Sequence, residues 1–209
     1  WVKMQKSRLV LVTGATTGIG RETALHLARL GYEVLATGRK AAVLDELKRE
    51  AENLPLETLV LDVNDAASIV AAGAEVDRRT GGRGLDALVN NAGFGLMGPM
   101  ELVTEEDLRA QFETNVVGLV KVTQQFAPAM RRRGDGCIIN VSSVLGRMAL
   151  PLQGVYSATK HAVEALTDAL RMELGPFGVR VVIVEPGSIR TQFATTIKAT
   201  VDRYRAMES

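Results

Sequence analysis

The stretch Arg8-Leu9-Val10-Leu11-Val12-Thr13-Gly14-Ala15-Thr16-Thr17-Gly18-Ile19-Gly20 decides the fold. Its first half, Arg8 to Thr13, is a continuous apolar run of the kind that suits a strand buried on both faces. A glycine-rich turn follows. A helical pattern then runs through Leu25, Leu27, Ala28 and Leu30, and Gly31 ends it as a C′ residue. Strand, glycine-rich turn and helix make the unit that sets a phosphate on helix N-terminal amides. The glycines let the backbone approach a pyrophosphate with no Cβ in the way. The spacing is Gly-x-x-x-Gly-x-Gly, not the commoner Gly-x-Gly-x-x-Gly. Such a turn also serves structure alone in other chains; its place after the first strand points to a nucleotide.

Moving outward, apolar runs alternate with amphipathic segments. Strands are predicted at Glu33 to Thr37, Glu57 to Leu61, Leu85 to Val89, Gly136 to Val141 and Val179 to Val184. Helices are predicted from Ala41 to Glu52, from Ala66 to Thr80, from a Thr104 N-cap through Asn115 to Met130, and from about Tyr156 to Leu174. A last polar helix-like segment covers Thr195 to Glu208. Strand–helix alternation predicts an α/β fold, a doubly wound parallel sheet in three layers and one domain. After the second strand stands Arg39, where NAD-binding units carry an acid. An arginine there suits the 2′-phosphate of NADP, so NADP(H) is expected over NAD(H). Asp62 and Val63, after the third strand, bracket an adenine edge, or Asp62 caps the helix from Ala66. Phe94, Met97, Met148, Leu150 and Leu152 lie on apolar loops that suggest a greasy pocket and an apolar ligand.

Tyr156 and Lys160 stand four residues apart on a helix, so they share a face. Free tyrosine has a pKa of about 10, and three units of lowering take roughly 4 kcal/mol. A lysine charge roughly 5 Å away supplies about 3 kcal/mol at an effective dielectric of about 20. The pair therefore reads as a phenol made acidic by a neighbouring cation, with an oxidised nicotinamide completing the shift. Taken alone, the same spacing is common on surface helices. Ser143 ends the fifth strand thirteen residues earlier, placed to share the crevice. Small residues Ala158, Ala162, Ala165 and Ala169 permit close packing against a partner subunit.

The 209 residues carry a net charge of +1 and one cysteine. That balance gives no field for nucleic acid or an anionic membrane. No apolar stretch approaches the ~20 residues of a membrane span, and no signal peptide is visible. Cys137 reads as a buried strand thiol, consistent with a reducing, cytoplasmic location. Arg131-Arg132-Arg133 reads as a solvated helix end complementing the macrodipole. No metal is expected.

These motifs together resemble the short-chain dehydrogenase/reductase family over roughly Leu9 to Phe193. Thr13-Gly14 through Gly20, with Thr16, Thr17, Gly18 and Ile19, is similar to the family's cofactor loop. Asn90-Asn91-Ala92-Gly93 resembles its sheet-supporting motif. Asn115, Ser143, Tyr156 and Lys160 match its catalytic tetrad in order and spacing. Pro186, Gly187, Ile189 and Thr191 resemble the segment that contacts the nicotinamide carboxamide. Within the family, Asn91-Ala92-Gly93-Phe94-Gly95 and Glu185-Pro186-Gly187 look most like the retinol and hydroxysteroid dehydrogenase branch. The resemblance implies NADP(H)-dependent interconversion of a carbonyl and an alcohol in a homodimer or homotetramer. Tyr156 acts as general acid/base, Lys160 holds the nicotinamide ribose, Ser143 bonds the substrate oxygen and Asn115 holds a relay water. It also implies a core over 8–190 and a substrate-capping segment over 191–209; the chain departs from the family pattern in that the usual C-terminal seventh strand is expected to be absent. A cofactor-binding sensor without turnover and a 3-oxoacyl-thioester reductase are the alternatives.

Overall fold

The computed structural model describes residues 8–189 and 200–204. Six strands form one fully parallel sheet: β1 (Leu9–Val12), β2 (Glu33–Gly38), β3 (Leu56–Val60), β4 (Ala87–Asn90), β5 (Gly136–Val141) and β6 (Val179–Val184). Their order in space is β3-β2-β1-β4-β5-β6. The connecting helices are α1 (Gly18–Arg29), α2 (Ala41–Glu50), α3 (Ala66–Thr80), α4 (Glu105–Phe112), α5 (Gly118–Arg133) and α6 (Gly154–Leu174).

The two-faced burial predicted for the first strand is what β1 shows. Leu9 and Leu11 pack on one face with Ile69, Val76, Val122 and Phe126 from α3 and α5. Val10 and Val12 pack on the other with Ala24, Leu25 and Leu47 from α1 and α2. Alternate side chains of a strand point to opposite faces, so both must be apolar when helices cover both. Because β1 lies between β2 and β4, the crossovers run outward in opposite directions from it. The crevice at the carboxyl ends of β1 and β4 is the switch point where ligands bind in such sheets.

Three expectations are corrected. The single helix predicted from Thr104 to Met130 is broken by a π-turn, Glu113–Val117, between α4 and α5. Asp65, not Asp62, caps α3, accepting from the Ala67 N–H at 2.9 Å. The Arg131–Arg133 run is not merely solvated: Arg133 donates to the carbonyls of Arg83, Leu85 and Asp135 at 2.6, 2.8 and 2.7 Å. It thereby ties the end of α5 to the start of β4. Cys137 is half-buried, and burial raises its thiol pKa. Ala158 and Ala165 of the small-residue face are exposed. Among the described residues no helix is long and apolar enough to cross a membrane.

Candidate active site

The glycine turn after β1 is braced from the far side of the crevice. The Thr13 hydroxyl accepts from the Asn91 and Ala92 N–H groups, both at 3.0 Å. The Asn91 side-chain amide donates to the Thr13 and Gly14 carbonyls at 3.0 and 3.1 Å. Asn91 therefore holds the turn with its amide nitrogen. Gly20 has no room for a side chain, since a Cβ there would lie 2.3 Å from Asn91 Nδ2 and 2.4 Å from the Gly14 carbonyl oxygen. Gly14 has φ +63°, and a Cβ on it would meet Ala92 Cα at 2.8 Å.

Helix α1 begins without a side-chain cap and without an acid in its first turn. By contrast, Asp65 caps α3 and Thr104 caps α4. The leading amides of α1, at Gly18, Ile19 and Gly20, have no intrahelical acceptor and suit an anion. Thr17 is exposed at this mouth, and Thr16 packs its methyl against Gly38 at the end of β2. The next residue, Arg39, is exposed and makes no hydrogen bond or ion pair among the described residues. Asp62 Oδ1 accepts from the Asn64 N–H at 2.9 Å, and Val63 is buried beneath Gly118. A phosphate-bearing dinucleotide fits these groups: open amides for the pyrophosphate and a free guanidinium beyond β2.

Ser143, Tyr156, Lys160 and Asn115 are all brought together, and all four are buried. Ser143 ends the segment after β5, and its hydroxyl accepts from the Leu145 N–H at 3.1 Å. It also hydrogen-bonds the Tyr156 hydroxyl. Lys160 Nζ lies 5.7 Å from the Tyr156 ring centroid and donates to the Val141 carbonyl at 2.8 Å. Tyrosine and lysine thus share the predicted face, but the expected electrostatics are corrected. Burial pushes the Tyr156 phenol above its ordinary value, with the Ser143 bond working against that rise. Burial also pushes the Lys160 amine down to about 8, opposed by the charge of Glu164. In a poorly solvated pocket the charged form of each group is disfavoured, and that outweighs their mutual influence.

The π-turn places the Asn115 side chain inward. Its amide donates to the Phe94 carbonyl at 2.9 Å and to Thr159 Oγ1 at 3.1 Å, and Oδ1 accepts from the Phe94 N–H at 3.0 Å. Both donors are spent on the loop after β4 and on α6, so a relay water on this side chain is left with one lone pair of Oδ1. A π-bulge of this kind commonly marks a functional position in a helix. Gly93 lies above, where a Cβ would come 3.0 Å from Asn115 Oδ1. Pro186 and Gly187 follow β6, tied by the Val144 N–H to the Pro186 carbonyl at 3.1 Å, and Ile189 is exposed. Thr191 lies outside the described residues.

Thr159, Asn140 and Thr123 were not singled out from the sequence, yet they lock the site. Asn90 Nδ2 donates to Thr123 Oγ1 and Asn140 Oδ1, and Asn140 Nδ2 donates to Thr167 Oγ1, each at 2.9 Å. This buried ladder joins β4, β5, α5 and α6. Its signal was available as polar residues on otherwise apolar faces. Of the 191–209 segment, residues 200–204 are helical, and Tyr204 is buried with Leu96 and Val155 beside Tyr156. The Tyr204 hydroxyl donates to Asp107 Oδ2.

A doubly wound sheet with an open anion site after β1 and a Ser–Tyr–Lys cluster after β5 defines a dinucleotide-dependent enzyme class. The short chain dehydrogenase family matches residues 8–202, and the chain belongs to that family of oxidoreductases. It is 39% identical over 187 residues to 3-ketodihydrosphingosine reductase of Bacteroides thetaiotaomicron, covering 89% of this chain and 65% of that protein. It is 42% identical over 193 residues to human 17-beta-hydroxysteroid dehydrogenase type 1, covering 88% and 58%. A solved actinorhodin polyketide ketoreductase with NADPH superposes with a TM-score of 0.88 at 34% identity, covering 96% of this chain and 77% of that one. The chain spans 58–71% of the length of the curated relatives it matches.

Proposed function

We propose that the protein is an NADP(H)-dependent oxidoreductase that interconverts a carbonyl and an alcohol on an apolar substrate. The observation that carries this reading is the convergence of Ser143, Tyr156 and Lys160 after β5, on the same carboxyl edge of the parallel sheet as the open α1 amides after β1. The amides of Gly18, Ile19 and Gly20 hold the pyrophosphate, Arg39 takes the 2′-phosphate, and Asp62 and Val63 flank the adenine. Pro186, Gly187 and Ile189, with Thr191 from the same sequence motif, would contact the carboxamide. NADPH, when bound, supplies a hydride from its nicotinamide ring.

In reduction Tyr156 gives its proton to the carbonyl oxygen; in oxidation its phenolate takes the alcohol proton. A phenol held up by burial is protonated at neutral pH, which suits the donor role. Ser143 donates a hydrogen bond to the same oxygen. Lys160 holds the ribose hydroxyls and stabilises the phenolate left after proton transfer. Asn115 sets the loop after β4 against α6 and carries a relay water. The exposed apolar side chains of Met148, Leu150 and Leu152, just before α6, support an apolar substrate. So do the 3-ketodihydrosphingosine and 17-beta-hydroxysteroid in the names of the two relatives above.

The test is a panel of steroid, retinoid and long-chain ketones and aldehydes, each with NADPH and with NADH. The expected result is oxidation of NADPH by at least one of them, with NADPH preferred. Arg39→Ser should reduce that preference by roughly tenfold, carried in the KM for NADPH, as loss of one exposed phosphate contact implies. NADPH binding without turnover of any carbonyl compound would replace this reading with a cofactor-binding sensor.

A further inference from the structure

Glu164 is a buried acid that the mechanism above does not use. It lies one helical turn beyond Lys160 on the same face of α6, with its side chain 7% exposed. Among the described residues neither carboxylate oxygen accepts a hydrogen bond. A buried carboxylate without donors is costly, and it persists where nearby charge balances it. Arg147, in the segment after β5, brings Nη2 within 2.9 Å of Glu164 Oε2 without making a hydrogen bond to it. The same guanidinium serves a second acid: Nε donates to Glu185 Oε1 at 3.0 Å, at the end of β6. One arginine between two acids leaves one negative charge over, and among the described residues its charge acts on Lys160, one turn back on α6. Asp168, a turn further along α6, is already paired with Arg171. Lys160 and Glu164 make no contact ion pair, so the influence acts through space.

The chain also makes room for this acid. At Gly146 a Cβ would lie 2.8 Å from Glu164 Oε1 and 2.7 Å from Ser142 Oγ, itself a buried oxygen without a partner. Any larger residue in that turn would push the carboxylate aside.

We propose that Glu164 is a positioning residue of the reaction: the buried counter-charge that keeps Lys160 cationic. The inference rests on the roles of Tyr156 and Lys160 given above. A cationic Lys160 is needed to hold the ribose and to stabilise the phenolate, and burial works against that charge. The sign follows. Activity that requires the ammonium is present below the Lys160 pKa and lost as pH rises through it. Removing the Glu164 charge lowers that pKa, so the loss begins at lower pH. Arg147 and Glu185 set the balance from the facing segments, and Tyr156 and Asp168 from α6 itself.

The experiment follows Lys160 directly, by NMR titration of protein labelled at lysine Cε, with Lys160→Arg assigning the signal. Glu164→Gln and Glu164→Met are compared with the parent. Both side chains match the acid in size; each gives up the Arg147 ion pair, while Arg147 keeps its bond to Glu185, so either serves should the other fold poorly. The Lys160 midpoint is expected to fall by about one pH unit in each. The alkaline limb of kcat/KM for NADPH-dependent carbonyl reduction should move down with it. An unchanged midpoint, or a shifted midpoint with an unmoved alkaline limb in an active enzyme, overturns the proposal. A fallen midpoint in a protein that reduces no carbonyl would uphold the counter-charge and retire the oxidoreductase reading alone.

Discussion

Replacing Tyr156 with phenylalanine is expected to reduce carbonyl turnover by about 10³-fold while leaving NADPH affinity within a few-fold. General acid–base groups contribute about 10²–10⁴ to rate, and the phenol is the proton donor proposed here. In the reading proposed above the cofactor is held elsewhere, by the α1 amides, Arg39 and Lys160, so its binding has little reason to change. The fold should survive, because Ser143 keeps its bond from the Leu145 N–H and the ring keeps its buried position. Steady-state rates, cofactor fluorescence titration and a thermal melt check the three parts. Full turnover in the variant would remove Tyr156 from the chemistry. For the parent enzyme, the raised Tyr156 pKa gives a second expectation. The phenol should stay protonated through neutral pH, so the alkaline fall in the rate of reduction should begin with Lys160 near pH 8, Tyr156 adding to it only at higher pH.

Gly20→Ala is expected to be the most damaging methyl group in the glycine turn. The added carbon falls 2.3 Å from Asn91 Nδ2 and 2.4 Å from the Gly14 oxygen. Backbone at Gly14 cannot swing away, and Asn91 cannot retreat without breaking its bonds to Thr13 and Gly14. Overpacking of this kind costs about 1–3 kcal/mol. At about 2–4 °C per kcal/mol, Tm should fall by roughly 2–12 °C. Because the same shift displaces the leading amides of α1, NADPH affinity should fall at least about tenfold, one phosphate contact being worth about 1.5–3 kcal/mol. Gly31→Ala is the control. Nothing lies within 4 Å of its Cβ position, and only φ +86° opposes it. It should lose about 1 kcal/mol and leave the cofactor alone. Equal behaviour of the two variants would mean that the brace across the crevice is unimportant.

Much of this architecture was legible in residues 8–20, because a doubly covered strand, a glycine turn and an amphipathic helix each leave a local pattern. The exposed Arg39 after β2 and the shared face of Tyr156 and Lys160 were legible for the same reason. The π-turn at Glu113–Val117 was not, since residues 105–133 keep a near-continuous helical pattern and one extra residue per turn has no local signature. Nor were the proton affinities of Tyr156 and Lys160, because spacing reports which charges are near and not how little water remains. Glu164 was hidden by a familiar pattern: an acid one turn after a lysine reads as a surface pair. The turn around Gly146, packed on α6 from another part of the chain, lies against it. Arg133 reads as solvated for a like reason, its three carbonyl acceptors lying outside α5.

The middle place of β1 in the sheet bears on how the chain matures. Its neighbour on one side follows within a few dozen residues, but Thr13 and its acceptor Val89 are 76 residues apart. At about 5–20 residues per second of translation, the second flank of that strand waits roughly 4–15 s before its complement emerges. During that interval a run of Val and Leu is one-sided and sticky. Yield in a cell should therefore depend on holdase chaperones more than on the final stability of the protein.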